Sequence, residues 1–401
     1  MILNKSEEMM LAGESGEAKQ KAMEILVALG KIYGAENMIP IASAQAAGVS
    51  YKTIGDAGLE FLEEFVRMDA KVSVSTFVNP AGMDRYRWKE MGVPEDFAKK
   101  QIRIMEAYES MGISPTYTCS PYTIGIRPKL GEHIAWSESN AISFANSVLG
   151  ARTNREGGPS ALASAITGVT PNYGLHLDEN RISRFTVNIN ANVGTRFMYG
   201  ALGSLVGKMA KEKIPSFIGL KNPDEEKMKY LGAAMAASGS VALYYVKGGT
   251  PEWKVDEKAE TIEIDQKMID EEIGKRNDSD DPEIITLGCP HASLEEIKEV
   301  AEMMESGKAT KKIWVFTSRE TLKKAKETGY IETIEKNGGN VFADTCMVVA
   351  PLYEMGIRSV GVNSGKAANY LPSFNKQKVR YAPIDKLIAT AKAGEKKGGS
   401  A

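Results

Sequence analysis

The residues best suited to chemistry in this 401-residue chain are its three cysteines, Cys119, Cys289 and Cys346. Each stands in a polar or Gly/Pro-punctuated segment rather than on the apolar face of a helix. The settings are Thr118-Cys119-Ser120-Pro121, Gly288-Cys289-Pro290-His291 and Ala343-Asp344-Thr345-Cys346-Met347. No Cys-x-x-Cys pair occurs, which argues against a zinc ribbon or a ferredoxin-like electron carrier. Soft thiolates favour iron–sulfur clusters, and a cubane normally takes four of them. With three, one iron lacks a protein ligand, and an open iron is a Lewis acid that can bind a substrate oxygen and help a hydroxyl leave. Two plainer readings stand beside this one. Free cysteine often packs as a small buried hydrophobe. Cys289 could also be a nucleophile served by His291, although neighbours on a turn rarely meet in the geometry such a pair needs.

The elements around these residues are those of an α/β protein. Ile284–Leu287 reads as a short apolar strand, and Ser293 with Glu296 three residues later reads as a capping box opening the helix over Leu294–Met304. Cys289 therefore lies between a strand's carboxyl end and a helix, where open α/β sheets gather ligand-binding groups. Cys346 follows the strand-like Asn340-Val341-Phe342 in the same way. Upstream, helical spacing predicts helices over Glu14–Gly34, Leu59–Met68 and Pro94–Met111. Strands are predicted at Met38–Ile41 and Lys71–Val78, the latter ending at Asn79-Pro80. The alternation continues through a helix at Ser137–Leu149, a small-residue helix ending near Ile166, a strand at Arg184–Asn190 and a helix at Gly200–Met209. Ile214–Ile218, Lys227–Ala236 and Val241–Tyr245 follow. The polar Lys275–Pro282 segment reads as a linker into a second series that includes Lys312–Phe316, Leu322–Thr328 and Met347–Leu352. The expected organisation is an N-terminal α/β region over 1–276, in two subdomains, carrying Cys119. A C-terminal α/β region over 283–387 carries Cys289 and Cys346, and 388–401 forms a flexible tail.

Composition removes several classes of function. A formal net charge of −2 offers no basic surface for nucleic acid or acidic membrane. No apolar run is long enough to span a bilayer, and Met1–Glu8 has no signal-peptide core, so the expectation is a cytoplasmic protein. Three cysteines in a reducing compartment are not a disulfide framework.

Five motifs in order carry a resemblance. They are Asn79-Pro80-Ala81-Gly82-Met83-Asp84; Thr118-Cys119-Ser120-Pro121-Tyr122; Gly131-Glu132-His133-Ile134-Ala135-Trp136-Ser137-Glu138-Ser139-Asn140; Arg152-Thr153-Asn154-Arg155-Glu156-Gly157-Gly158; and Gly288-Cys289-Pro290-His291. Together they resemble the aconitase X family, over nearly the whole chain from Asn4 to Leu387. The resemblance implies an aconitase-like fold of several βα units with mostly parallel sheets around a central cleft. It implies a hydro-lyase holding a 4Fe–4S cluster through Cys119, Cys289 and Cys346. The reaction implied is removal of water from (R)-5-phosphomevalonate to give trans-anhydromevalonate 5-phosphate, in a modified mevalonate route to isoprenoids. Substrate-binding roles fall on Gly48, Val49, Ser50, Asn79, Pro80, Ser139, Asn140 and Lys366. The catalytic base, a serine alkoxide in aconitase-like enzymes, is expected on a separate small subunit, so no base is expected in this chain.

The residues themselves leave plainer alternatives at these positions. Gly48-Val49-Ser50 is also an ordinary turn, Asn79 an Asx-turn residue, Ser139 and Asn140 helix caps, and Lys366 a solvated lysine. Arg152, Arg155 and Arg85 are further candidates for an anion, and His291 could orient a cluster ligand or donate to a leaving hydroxide. Three other functions compete: a cis-3-hydroxy-L-proline dehydratase of the same family, a non-enzymatic iron–sulfur or zinc-binding regulator, and a cluster-free ligand-binding protein.

Overall fold

The computed structural model describes residues 1–211 and 213–393. The chain builds three successive α/β regions. The first contains β1 (Met38–Pro40), β2 (Ser43–Ala46), β3 (Ser75–Val78), β4 (Ala135–Trp136) and β5 (Val169–Pro171). The second contains β6 (Ser183–Ile189), β7 (Pro215–Ile218), β8 (Tyr245–Val246) and β9 (Val255–Ile264). The third contains β10 (Ile284–Leu287), β11 (Lys312–Thr317), β12 (Gly339–Ala343), β13 (Ser359–Val362) and β14 (Lys378–Tyr381). β1 pairs with β5 antiparallel, and the three larger sheets are parallel in every pairing. The α/β expectation with mostly parallel sheets therefore holds.

Sheet order explains where a ligand could sit. The third region runs β12-β11-β10-β13-β14, so the chain starts in the middle, winds outward one way, then returns to add strands on the other side. The direction reverses between β10 and β13, and open α/β sheets bind ligands in the crevice beyond such a reversal. Cys289 follows β10 and Lys366 follows β13. The first region's sheet, β3-β2-β4, is a smaller parallel set. Its strands end just before Asn79, Ala47-Gly48-Val49-Ser50 and Ser137-Glu138-Ser139.

Most elements form where local pattern places them, with shifted ends. The capping box is present as read: Ser293 Oγ accepts from Glu296 N and the Glu296 carboxylate from Ser293 N. The second long helix runs from Tyr51 to Arg67 rather than starting at Leu59, because Ser50 caps it and Gly55, at φ 59°, absorbs a kink inside it. Met347–Leu352 forms turns instead of a regular element, although Met347, Ala350 and Leu352 are fully buried. The polar Lys275–Pro282 segment lies against β14, with the backbone N–H of Asp278 and of Ser279 donating to Val379 O. The expected tail is also corrected at its start. A helix covers Ile384–Lys392 and buries Leu387, Ile388 and Ala391, so the packed chain continues past 388, while residues 394–401 lie outside the described residues. Among the described residues no helix is long and apolar enough to cross a membrane.

Candidate active site

The ends of the two parallel sheets meet at one cavity of about 460 Å³. Cys119, Cys289 and Cys346 all line it, as do Gly48, Val49, Ser50, Asn79, Pro80, Ser139 and Lys366. The cysteines and the eight substrate-binding residues named from sequence thus converge, with Asn140 as the exception among them. Asn140 is fully buried behind the wall, where its Nδ2 donates to Cys119 O at 3.0 Å and to the Tyr122 hydroxyl at 3.0 Å. It shapes the Cys119 turn and does not reach the cavity.

Each thiol is carried by a strand-like segment. Residues 114–118 run beside β3, with Thr118 N donating to Val78 O, and so deliver Cys119 to the same edge as Asn79. β10 and β12 deliver Cys289 and Cys346. Bonds between loops hold these ends together. Ala81 N donates to Asp344 O at 2.7 Å, and Ser50 Oγ donates to Val349 O at 2.8 Å. Arg319 ties Asp84 to Asp344, and the Asp84 carboxylate accepts from Ala343 N at 2.8 Å. The Asn79–Asp84 motif therefore grips the loop that ends in Cys346.

A buried ion pair, Lys366 with Glu138, lies beside the thiols. Burial alone would raise the Glu138 pKa, but the Lys366 ammonium and the bonds from Lys366 and Asn79 outweigh it and hold the carboxyl below its ordinary range. Burial likewise disfavours the charged lysine, yet Glu138 and the nearby Cys289 and Cys119 hold it above its usual value. Lys366 sits in the first turn of the helix Gly365–Asn375, capped by Ser364, and is 6 % exposed; a solvated lysine is excluded. Asn79 Nδ2 donates to Glu138 Oε2 at 2.7 Å, while Asn79 Oδ1 is buried with no hydrogen-bond partner among the described residues. That leaves an open acceptor on a residue that faces the cavity. Glu138 was missed by sequence reasoning as a site residue. Its N-cap position before a helix is the one local signal, and its partner lies 228 residues away.

The other candidates separate cleanly. Arg152 is held by Glu252 and Asp178, and Arg85 by Glu109, so both serve the framework. Arg155 lines the cavity, is exposed, and makes one long bond to Ala236 O at 3.5 Å. Among the described residues no carboxylate pairs with it. His133 and His176 face each other with Nδ1 atoms 2.9 Å apart and do not line the cavity.

The donor set suits an iron–sulfur cluster. Three buried thiols close enough to influence one another are pushed up in pKa by burial, Cys289 to about 12. A buried metal centre reverses that cost by binding the thiolates. Cys119 Sγ accepts from His291 N at 3.2 Å, the kind of bond that tunes cluster sulfurs. Among the described residues no three His, Cys, Asp or Glu side chains converge on a single metal ion. A multi-iron cluster sets a wider spacing, since each of its thiolates binds a different iron.

Comparison with known proteins agrees in every region. Family models of the aconitase X first, second and third domains match residues 1–179, 183–274 and 282–393. The phosphomevalonate dehydratase large subunit of Methanocaldococcus jannaschii is 51% identical over 400 residues, covering 97% of this chain and 99% of that protein. That of Thermococcus kodakarensis is 50% identical over 398 residues, covering 98% and 100%. The cis-3-hydroxy-L-proline dehydratase of Pseudomonas aeruginosa is 33% identical over 414 residues, which cover 99% of this chain but 71% of that longer protein. A crystal structure of Thermococcus kodakaraensis aconitase X in its holo-form matches with a TM-score of 0.92 at 49% identity, over 98% of this chain and 100% of that one.

Proposed function

Because the chain belongs to the aconitase X family, we propose that it is the large subunit of a phosphomevalonate dehydratase, a hydro-lyase. It would remove water from (R)-5-phosphomevalonate to leave trans-anhydromevalonate 5-phosphate. The observation that carries this reading is the meeting of three sequence-distant thiols in one cavity wall beside a buried ammonium. Cys119, Cys289 and Cys346 would hold a 4Fe–4S cluster, which when bound supplies Lewis acidity toward a leaving hydroxyl and a carboxylate oxygen.

The elimination breaks a C–H bond beside the carboxylate and the C–O bond of the tertiary hydroxyl, and proton and hydroxide depart as water. This chain's own residues fix the substrate for that step. Lys366 offers a buried cation to the carboxylate, and Glu138 holds the ammonium in place. Asn79 Oδ1 is free to accept a hydrogen bond from the substrate hydroxyl. Gly48-Val49-Ser50 and the start of the helix Gly158–Thr167 bring backbone to the wall, where Arg155 adds a guanidinium; this side suits the phosphate. The α-proton goes to a base that we assign to a separate small subunit closing the mouth, where Phe374 is 53 % exposed beside Tyr370. The reducing cytoplasm is the compartment in which three free thiols persist.

Assaying the anaerobically prepared chain with and without a co-expressed small subunit, on phosphomevalonate and on cis-3-hydroxy-L-proline, tests this directly. Turnover of phosphomevalonate by the pair alone is the expected result. Full activity of the isolated chain would overturn the assignment of the base, and preference for hydroxyproline would overturn the substrate.

A further inference from the structure

His291, on the Cys289 loop, bonds to both of the other thiol-bearing loops. It is two residues after Cys289, is 1 % exposed, and does not line the cavity. Its backbone N–H donates to Cys119 Sγ at 3.2 Å. Its ring Nε2 lies 2.9 Å from Thr345 O, the residue before Cys346, and its Nδ1 lies 3.0 Å from Thr118 Oγ1, the residue before Cys119. A carbonyl oxygen only accepts, so Nε2 carries the proton and Nδ1 is the bare acceptor. The Thr118 hydroxyl must then donate to Nδ1, which leaves its oxygen free to accept from Ser120 N at 3.1 Å and close the turn around Cys119. A single neutral imidazole thus satisfies a donor on one loop and an acceptor on another, from a third.

We infer that His291 is a positioning residue that fixes the relative placement of Cys119, Cys289 and Cys346, and so presets the site for a cluster before any iron is bound. The inference rests on the cluster reading above, and it assigns His291 neither a ligand's role nor a proton-transfer role. Ala81 N also ties a neighbouring loop, Asn79–Asp84, to the Cys346 loop through Asp344 O, but this bond reaches neither Cys119 nor Cys289. The imidazole, carried on the Cys289 loop, bonds the residues that precede both of the other cysteines. Replacing the outer partners of metal ligands typically costs 10–100-fold in metal affinity.

The test compares full-length wild type, His291→Phe and Thr118→Val after anaerobic reconstitution with iron and sulfide. It measures iron per chain, the rate of iron loss to a chelator, the electron paramagnetic spectrum of the reduced protein, and the melting temperature before reconstitution. Wild type should take up about four irons, as a cubane requires. Both variants should lose iron about 10-fold faster or more, with a broadened spectrum. Thr118→Val should melt within a few degrees of wild type, because it removes one hydroxyl and keeps the side-chain shape. His291→Gln, which can still donate to Thr345 O, should recover part of the retention. Wild-type retention and spectrum in a folded His291→Phe protein would overturn the inference; should that variant fail to fold, the same result in Thr118→Val would do so. Wild type that binds no iron would instead overturn the cluster reading, and this inference with it.

Discussion

Replacing Lys229 with methionine should destabilise the protein by about 3 kcal/mol or slightly more, through the charge it leaves behind. Lys229 is 1 % exposed, and its ammonium lies 2.5 Å from Glu296 Oε2 and 2.9 Å from Glu226 Oε2. Glu296 is buried too, in the first turn of the helix that follows Cys289-Pro290-His291, and joins the second region to the third. Removing one partner of a buried pair costs about 3–5 kcal/mol, since the other charge remains in a poorly solvating interior. The low end applies here, because Glu296 keeps donors in the Tyr230 hydroxyl and Ser293 N, and Arg196 acts on it from nearby. Methionine fills similar volume, so no cavity term is added. For a unit of the size spanned by the second and third regions, 1 kcal/mol shifts Tm by about 2–4 °C. The expected drop is then about 6–12 °C by calorimetry or circular dichroism near pH 7. The double variant Lys229→Met/Glu296→Leu should recover most of this loss, because two apolar groups replace two charges. Burial tends to raise Glu296, but Lys229 holds it below the ordinary carboxylate range. Stability from the pair is therefore present above the unfolded carboxylate pKa and lost only as pH falls through the lower folded value, so the wild-type advantage should persist to pH 5. A drop under about 2 °C, or a double variant no more stable than the single one, would refute the reasoning.

Changing Lys366 to Gln should lower kcat/KM of the assembled enzyme about 10–100-fold, the worth of one charge-assisted hydrogen bond of about 1.5–3 kcal/mol; unchanged kinetics would remove it from the binding site. Burial, and then His133, push His176 down to about 3, so it folds neutral. Unfolded histidine binds a proton below about 6.5, so stability should fall as pH drops from there toward 3, and His176→Gln should flatten that limb of a Tm-versus-pH curve. Gly288 has φ 85°, and a Cβ there would stand 2.0 Å from Phe316 O. Gly288→Ala should therefore give little soluble protein, whereas Gly274→Ala, where a Cβ meets nothing within 4 Å, should express normally.

The thiol loops were legible because their signals are local. A short apolar strand, Gly288 and Pro290 around a cysteine, and Ser293 with Glu296 fix a strand–turn–helix whatever surrounds them. Glu138 was not legible, because a carboxylate before a helix is first of all a cap, and only the fold brings Lys366 to it. Lys366 entered through the family resemblance, while its helix over Gly365–Asn375 was hidden by Gly365 and by Pro372, residues that read as a turn. Met347–Leu352 misled in the opposite sense: an apolar run suggests a regular element, but here it is a buried turn filling space behind Cys346. β9, with charged residues at half of its positions and little burial, carries almost no strand pattern of its own and is defined by pairing with β6.

These failures share a cause that also explains why the site lies where it does. Parallel strands cannot be joined by short turns, so neighbouring strand ends in a parallel sheet come from segments separated by whole crossover helices. Two such sheets, β3-β2-β4 and β12-β11-β10-β13-β14, present their carboxyl ends to a common cavity. The cavity wall is thereby assembled from segments between residues 47 and 374, with hardly any local sequence code for who faces whom. The recognition between sheets is carried by a few buried polar bonds instead: Ala81 to Asp344, Ser50 to Val349, Arg319 to Asp84 and Asp344, and His291 to Thr118 and Thr345. Buried polar groups are costly unless satisfied, so each such bond penalises any other registration of the two sheets. Loosening one of them should therefore disturb ligand geometry at the cavity before it lowers the stability of either sheet.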